Sequence, residues 1–131
     1  PCAQGRPQFV RAGRFVRAID PAKSRDFKSR VALFAGQSGI GMLEGPIYVC
    51  AEFYMPRPKR LMRKADPDGA VPCARRPDAD NLLKGLLDGC NGILWHDDSQ
   101  VVEVRLKKLY HEKGGAPRTE VAVTNAKKRE D

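Results

Sequence analysis

The sequence predicts a mixed α/β domain of the α+β kind: a mixed β-sheet of about four to five strands packed against two main helices. Three observations predict it. A chain of 131 residues is long enough to enclose one hydrophobic core and short for two, so residues 1–131 read as a single domain. Short runs rich in alternating, β-branched or aromatic residues occur at 8–11, 14–19, 47–55, 100–109 and 119–123, which is the pattern of strands. Two longer stretches repeat apolar residues at helical spacing.

The elements follow in order. Gln8-Phe9-Val10-Arg11 and Arg14-Phe15-Val16-Arg17-Ala18-Ile19 flank Ala12-Gly13, predicting a short hairpin that turns at the glycine. Asp20-Pro21 offers an N-cap followed by proline at the first helical position, and Phe27, Val31 and Phe34 recur down to Gly36, so a helix is predicted over 21–35. Its polar faces carry Lys23, Arg25, Lys28 and Arg30, which fit either a DNA-tracking stripe or an ordinary solvated surface. After Gly45-Pro46, the run Ile47–Met55 reads as a central strand. Residues 56–77 hold five prolines and many Lys/Arg without any sustained period, predicting a mobile basic loop. Within it, Asp66-Pro67-Asp68-Gly69 resembles a calcium loop, but it lacks the later Glu ligand and reads as a turn.

From Asp80 onward Leu83, Leu86, Leu87 and Cys90 share one helical face that stops at Asn91-Gly92. Gly85 and Gly89 lie inside this helix, where each costs about 1 kcal/mol relative to Ala. Close approach by another element, or by a second subunit, would explain them. Strands are predicted over 100–109, with Val102, Val104 and Leu106 alternating, and over 119–123, joined by a Gly-Gly loop, and residues 126–131 form a charged tail.

Composition excludes several classes. No apolar run approaches the roughly 20 residues of a membrane span, and the opening Pro1-Cys2-Ala3-Gln4-Gly5-Arg6 has no signal-peptide core. Cytoplasmic residence is therefore the expectation. Cys2, Cys50, Cys73 and Cys90 include no C-x-x-C pair, which argues against a zinc site and favours free thiols, with Cys50 and Cys90 in the core. A net charge of +8 on one small domain points to a phosphate-rich partner. Against that background residues 78–98 hold one Lys and five Asp, a local balance of −4.

That inversion carries chemistry. Asp78 and Asp80 lie two apart just after Pro77, Asp80, Lys84 and Asp88 recur every four residues along one helical face, and Asp97-Asp98 follow the short return Gly92-Ile93-Leu94-Trp95. If the return brings the chain beside the start of the helix, four carboxylates converge. Clustered carboxylates repel unless a cation sits among them, and hard oxygen ligands suit Mg²⁺ or Mn²⁺. Such an ion can neutralise a scissile phosphate and lower the pKa of a bound water. The plainer reading is a set of exposed ion pairs worth about 0.3 to 0.5 kcal/mol each, and it leaves Asp78 and Asp97-Asp98 unexplained. Trp95 reads as a core anchor rather than a base-stacking platform, and His96 as incidental.

Taken together, Arg76-Pro77-Asp78-Ala79-Asp80-Asn81-Leu82-Leu83-Lys84-Gly85-Leu86-Leu87-Asp88, Asn91-Gly92 and Asp97-Asp98-Ser99-Gln100-Val101-Val102 resemble the signature of the RusA family of Holliday junction resolvases, and Gly5-Arg6-Pro7-Gln8-Phe9 is similar to its N-terminal Gly-Arg-Pro motif. Gly85 and Gly89 depart from the Ala common in that family. The resemblance implies a homodimeric, Mg²⁺-dependent endodeoxyribonuclease that resolves four-way junction DNA by paired nicks, in recombination and repair, within a bacterial or phage-encoded setting. It carries metal-ligand roles onto Asp78, Asp80 and Asp98, with Asp97 as a neighbouring acid, and a catalytic role onto Lys84. Arg6, Arg75, Arg76 and Lys84 are the implied DNA contacts. Two alternatives stay open: a less selective metal-dependent nuclease, and a non-catalytic DNA-binding protein whose acids serve the fold.

Overall fold

The computed structural model describes residues 9–17, 20–21 and 24–126. Its elements are β1 (Phe9–Arg17), α1 (Ser24–Gln37), β2 (Ile47–Met55), β3 (Val71–Pro72), α2 (Ala79–Cys90), β4 (Val101–Tyr110) and β5 (Arg118–Ala126), with short 3₁₀ turns at Lys59–Leu61 and Asp98–Gln100. The five strands form one mixed sheet in the order β1-β5-β2-β4-β3. Only β2 and β4 run parallel; the other pairs are antiparallel. The predicted α+β class and the two helices are therefore present. Cys2, Gln8, the Gly5-Arg6-Pro7 motif, residues 18–19, Lys23 and the tail from 127 lie outside the described residues.

β2 is the centre of the sheet, as its composition predicts. Ile47, Val49, Ala51, Phe53 and Met55 are buried on the face the helices cover. On that face α1 lays down Phe27, Val31 and Ala35, four residues apart, and Phe27 meets Phe53 with ring centroids 5.9 Å apart. α2 turns Leu82, Leu86, Gly89 and Cys90 inward, so the buried stripe is rotated from the predicted one and Leu83 is only half-buried. A Cβ at Gly89 would stand 2.7 Å from Val31 Cγ1 and 2.8 Å from the Lys28 carbonyl, and one at Gly85 would stand 2.9 Å from the Phe27 ring. The neighbour that requires these glycines is α1 of the same chain. Their propensity cost is offset by helix-on-helix contact along a backbone groove.

Four expectations need correction. Ala12-Gly13 is not a hairpin turn: β1 is continuous and pairs with β5 along its length. Gly13 is needed because a Cβ there would run into the Ile40 side chain, and a strand glycine can mark close approach as readily as a turn. Val102 does not alternate inward but is 58% exposed, because the β2–β4 register slips between Val101 and Glu103 and bulges it out. Cys50 shares the sheet face of Tyr48 and Glu52, not the core face, and is half-buried. It is disulfide-bonded, whereas Cys73 and Cys90 are free and buried.

The fourth correction concerns the loop over 56–77, which is built rather than irregular. Arg57, 7% exposed, donates from Nε to the Leu61 carbonyl (2.9 Å), from Nη1 to those of Gly69 (2.8 Å) and His111 (3.3 Å), and from Nη2 to that of Pro67 (2.7 Å). A rigid fork of donors thus satisfies carbonyls that a strand ladder would otherwise serve. Such a device has no periodicity to betray it.

Candidate active site

Asp78 is the N-cap residue of α2, with extended backbone angles φ −71° and ψ 152°, and its side chain makes no capping bond. Its carbonyl accepts from the Leu82 amide at 3.1 Å. Asp80 stands in the first turn and accepts from the Asn81 amide at 3.0 Å. Both carboxylates are exposed, at the helix end whose amides favour negative charge. Beside them an open cavity of about 360 Å³ is lined by Arg76, Pro77, Asp78 and Asn81. Arg76 on its wall is exposed, as are Arg75 just before it and Lys84 one turn beyond Asp80. Among the described residues no ion pair joins Lys84 to Asp80 or Asp88, so the plain ion-pair reading of this stripe fails.

Lys108 fixes this corner, and the sequence reading missed it. From β4 its Nζ donates to the carbonyls of Arg75 (2.5 Å) and Pro77 (2.9 Å), holding the segment that leads into Asp78. A signal was available. Val104 and Leu106 point to the core side, and a lysine at the next alternate position breaks the apolar pattern.

Asp97 and Asp98 are differently placed. After α2 the chain turns at once through Gly92, whose φ is +81°, and Trp95 bridges back to Asn91. Trp95 is fully buried, the core anchor expected of it, and its Nε1 donates to Asp98 Oδ1 at 2.8 Å. Asp97 caps the following 3₁₀ turn: its Oδ2 accepts from the Ser99 amide at 2.9 Å, and Gln100 Oε1 accepts from the Asp97 amide at 3.1 Å. Hydrogen bonds from Ser99 hold the Asp97 carboxyl below the usual carboxylate range. Gln100 Nε2 reaches the carbonyls of Leu43 and Gly45, each at 3.1 Å. His96 pairs with Glu44 at 2.8 Å in the open.

The two acid groups therefore lie at opposite ends of α2. Asp98 adds to the negative field at Cys90, the last residue of the helix, while Asp78 caps its first turn. With 12 residues the helix separates its ends by about 18 Å. The expected convergence of four carboxylates does not occur within one chain. Among the described residues no group of three or more His, Cys, Asp or Glu is gathered to hold a metal ion. The short return reverses the chain at the far end of the helix and never travels back along it.

Residues 1–124 match the family described as "Endodeoxyribonuclease RusA". The chain belongs to the RusA endodeoxyribonuclease family. A Bacillus subtilis (strain 168) protein named "Uncharacterized protein YqaN" is 39% identical over 131 aligned positions, which cover 94% of this chain and 89% of that protein. Family membership places the chain among the deoxyribonuclease hydrolases. Among the described residues no helix is long and apolar enough to cross a membrane.

Within this RusA-family chain the donor set at the start of α2 suits a small hard cation. Asp78 and Asp80 offer two exposed carboxylates that make no ion pair among the described residues, and Mg²⁺ is commonly held by one or two carboxylates together with water and substrate phosphate. Asp98 presents one further oxygen, Oδ2, since Oδ1 is taken by Trp95.

Proposed function

We propose that the protein is a divalent-metal-dependent nuclease that resolves four-way DNA junctions as a homodimer, with Asp78 and Asp80 of one protomer working beside Asp98, and its neighbour Asp97, of the other. One observation carries this reading: the family's acids stand at opposite ends of a single helix, so no chain completes the set alone. A two-fold axis crossing near the middle of α2 would bring the start of one α2 to the end of the other, and would do so twice. Two such sites suit paired cuts across a junction.

In this site Asp78, Asp80 and Asp98 would hold Mg²⁺, or Mn²⁺, which when bound polarises the scissile phosphate and acidifies water. The chain's own residues do the rest. Lys84, one turn beyond Asp80, places an ammonium where negative charge builds on phosphorus during attack. Arg76, on the cavity wall beside Asp78, and Arg75 present guanidinium groups to the backbone phosphates on either side. Arg6, outside the described residues, belongs to the same set of DNA contacts by its place in the Gly-Arg-Pro motif. Lys108 keeps Arg75 to Pro77 at the mouth and is a positioning residue.

The test is subunit complementation. Asp80→Asn and Asp98→Asn homodimers should each fail to nick a synthetic four-way junction in Mg²⁺. A heterodimer of the two carries both substitutions in one site and neither in the other, so it should regain single-strand nicking. A heterodimer as inert as its parents means each site is built within one chain. Failure of the wild-type protein to nick the junction overturns the resolvase reading itself.

A further inference from the structure

The loop after β2 spends two buried or half-buried cations on holding its own backbone. Besides the Arg57 fork, Lys113 Nζ donates to the carbonyls of Arg63 and Asp66, each at 2.7 Å, and lies 3.4 Å from Asp68. The Lys113 amide binds the Asp68 carbonyl at 2.9 Å, and Asp66 Oδ2 accepts from the Arg63 amide at 2.8 Å. Leu61 packs against the core. The backbone of 57–69 is thus stapled to the body of the domain at many points.

What this frame displays is Lys59, Arg60, Met62, Arg63 and Lys64, all exposed. None of the four cations has a carboxylate within ion-pair distance among the described residues. Four like charges within six residues repel one another, and a rigid frame prevents the chain from spreading them apart. Folding alone gives no reason for such an arrangement. A polyanion docked on it would.

The loop also sits beside the candidate site. Arg60 and Arg75 both bring positive charge to Tyr110, at the end of β4 where β3 pairs and two residues beyond Lys108. The basic tip, Arg75, Arg76 and the cavity at Asp78 therefore follow one edge of the sheet. We propose that residues 59–64 form a rigid basic wing that grips the phosphate backbone of one duplex arm, extending the DNA path away from the acids. This rests on the proposed nuclease reading for the identity of the polyanion. Its occupant is double-stranded DNA, and recognition is by phosphate, independent of base sequence.

The experiment combines Lys59→Gln, Arg60→Gln, Arg63→Gln and Lys64→Gln in the full chain, all exposed positions that leave the Arg57 and Lys113 frame in place. Binding to a four-way junction is measured from about 50 to 200 mM salt. Each phosphate contact contributes about 0.9 to the slope of log K against log salt on duplex DNA, so the slope should fall by about 3 to 4. Cleavage at saturating DNA should be unchanged. A control pair on the face of β4 turned away from Lys108, Arg105→Gln with Lys107→Gln, should leave the slope intact. An unchanged slope in the fourfold variant overturns the wing, as does an equal fall in the control. Because the readout is binding, it stands whether or not the wild-type protein cleaves; a bound but uncut junction would count against the nuclease reading alone.

Discussion

The two ends of α2 carry the same chemistry in opposite settings. At its start, Asp78 and Asp80 are exposed and make no ion pair among the described residues, and Arg76 shares a cavity wall with Asp78. At its finish, Asp98 is bonded to a buried indole, Asp97 caps a turn, and Gln100 ties that turn to Leu43 and Gly45. Side chains of the first kind contribute little to holding the fold. Those of the second kind are tied into it, so substituting them perturbs the fold as well as any activity they carry, and the two effects must be separated by experiment.

The largest expected contrast uses three variants. Asp80→Ala should lower junction cleavage on the order of 100- to 1,000-fold, the cost of removing one charge-stabilising group, while unfolding free energy changes by less than about 1 kcal/mol. Asp98→Ala should lose comparable activity and also destabilise the fold by about 1–3 kcal/mol, because the Trp95 Nε1–H is left without its acceptor. Asp98→Asn separates the two losses: its amide oxygen can still accept from Trp95, so it should be as inactive as Asp98→Ala yet nearly as stable as wild type. Single-turnover cleavage beside urea denaturation measures both. Equal stability of Asp98→Ala and wild type would erase the distinction between the ends.

Much of this was legible in the sequence, and the misreadings have physical causes. Ile47–Met55 announced a central strand because a doubly flanked strand needs apolar residues at most positions, and α2 announced itself by period. The acid residues were legible as residues, but not their distances, because a chain leaving a helix C-terminus must retrace the helix to reach its start, and Gly92 to Trp95 is far too short for that. Ala12-Gly13 has the local pattern of a turn, but the closeness of Ile40 is what requires the glycine, and the alternation that points Val102 inward is broken by a register slip. Arg57 and Lys108 act through backbone carbonyls distant in sequence, contacts that leave no local pattern.

A second prediction probes how tightly the far half of α2 is seated. Gly89→Ala gains about 1 kcal/mol of helix propensity but places a methyl 2.8 Å from the Lys28 carbonyl and 2.7 Å from Val31 Cγ1. A backbone oxygen cannot swing aside, so overpacking at about 1–3 kcal/mol wins and the net change should be destabilising. Gly36→Ala, with nothing within 4 Å of the added methyl, is the matched control near the end of α1. If both substitutions stabilise equally in urea, α1 and α2 do not pack as closely as the glycines require.

The smallest effect is a dependence on alkaline pH. Burial, with a further contribution from Asp98, pushes the Cys90 thiol up from 9.0 to about 12, so the unfolded chain ionises this group before the folded one does. The stability tied to the neutral thiol is complete below pH 9 and is lost as pH rises toward 12, at up to about 1.4 kcal/mol per pH unit. Tyr54, raised from 10.0 to about 12 by burial and by its hydrogen bond to Glu52, acts with the same sign but only above its own unfolded pKa. Between pH 9 and 10 the slope therefore belongs mainly to Cys90. Urea unfolding of wild type and Cys90→Ala across that interval should give a steeper decline for wild type, with the two curves converging as pH rises even though the alanine variant starts lower. Parallel curves would mean that the thiol at the seated end of α2 is as accessible to water as the aspartates at the open one.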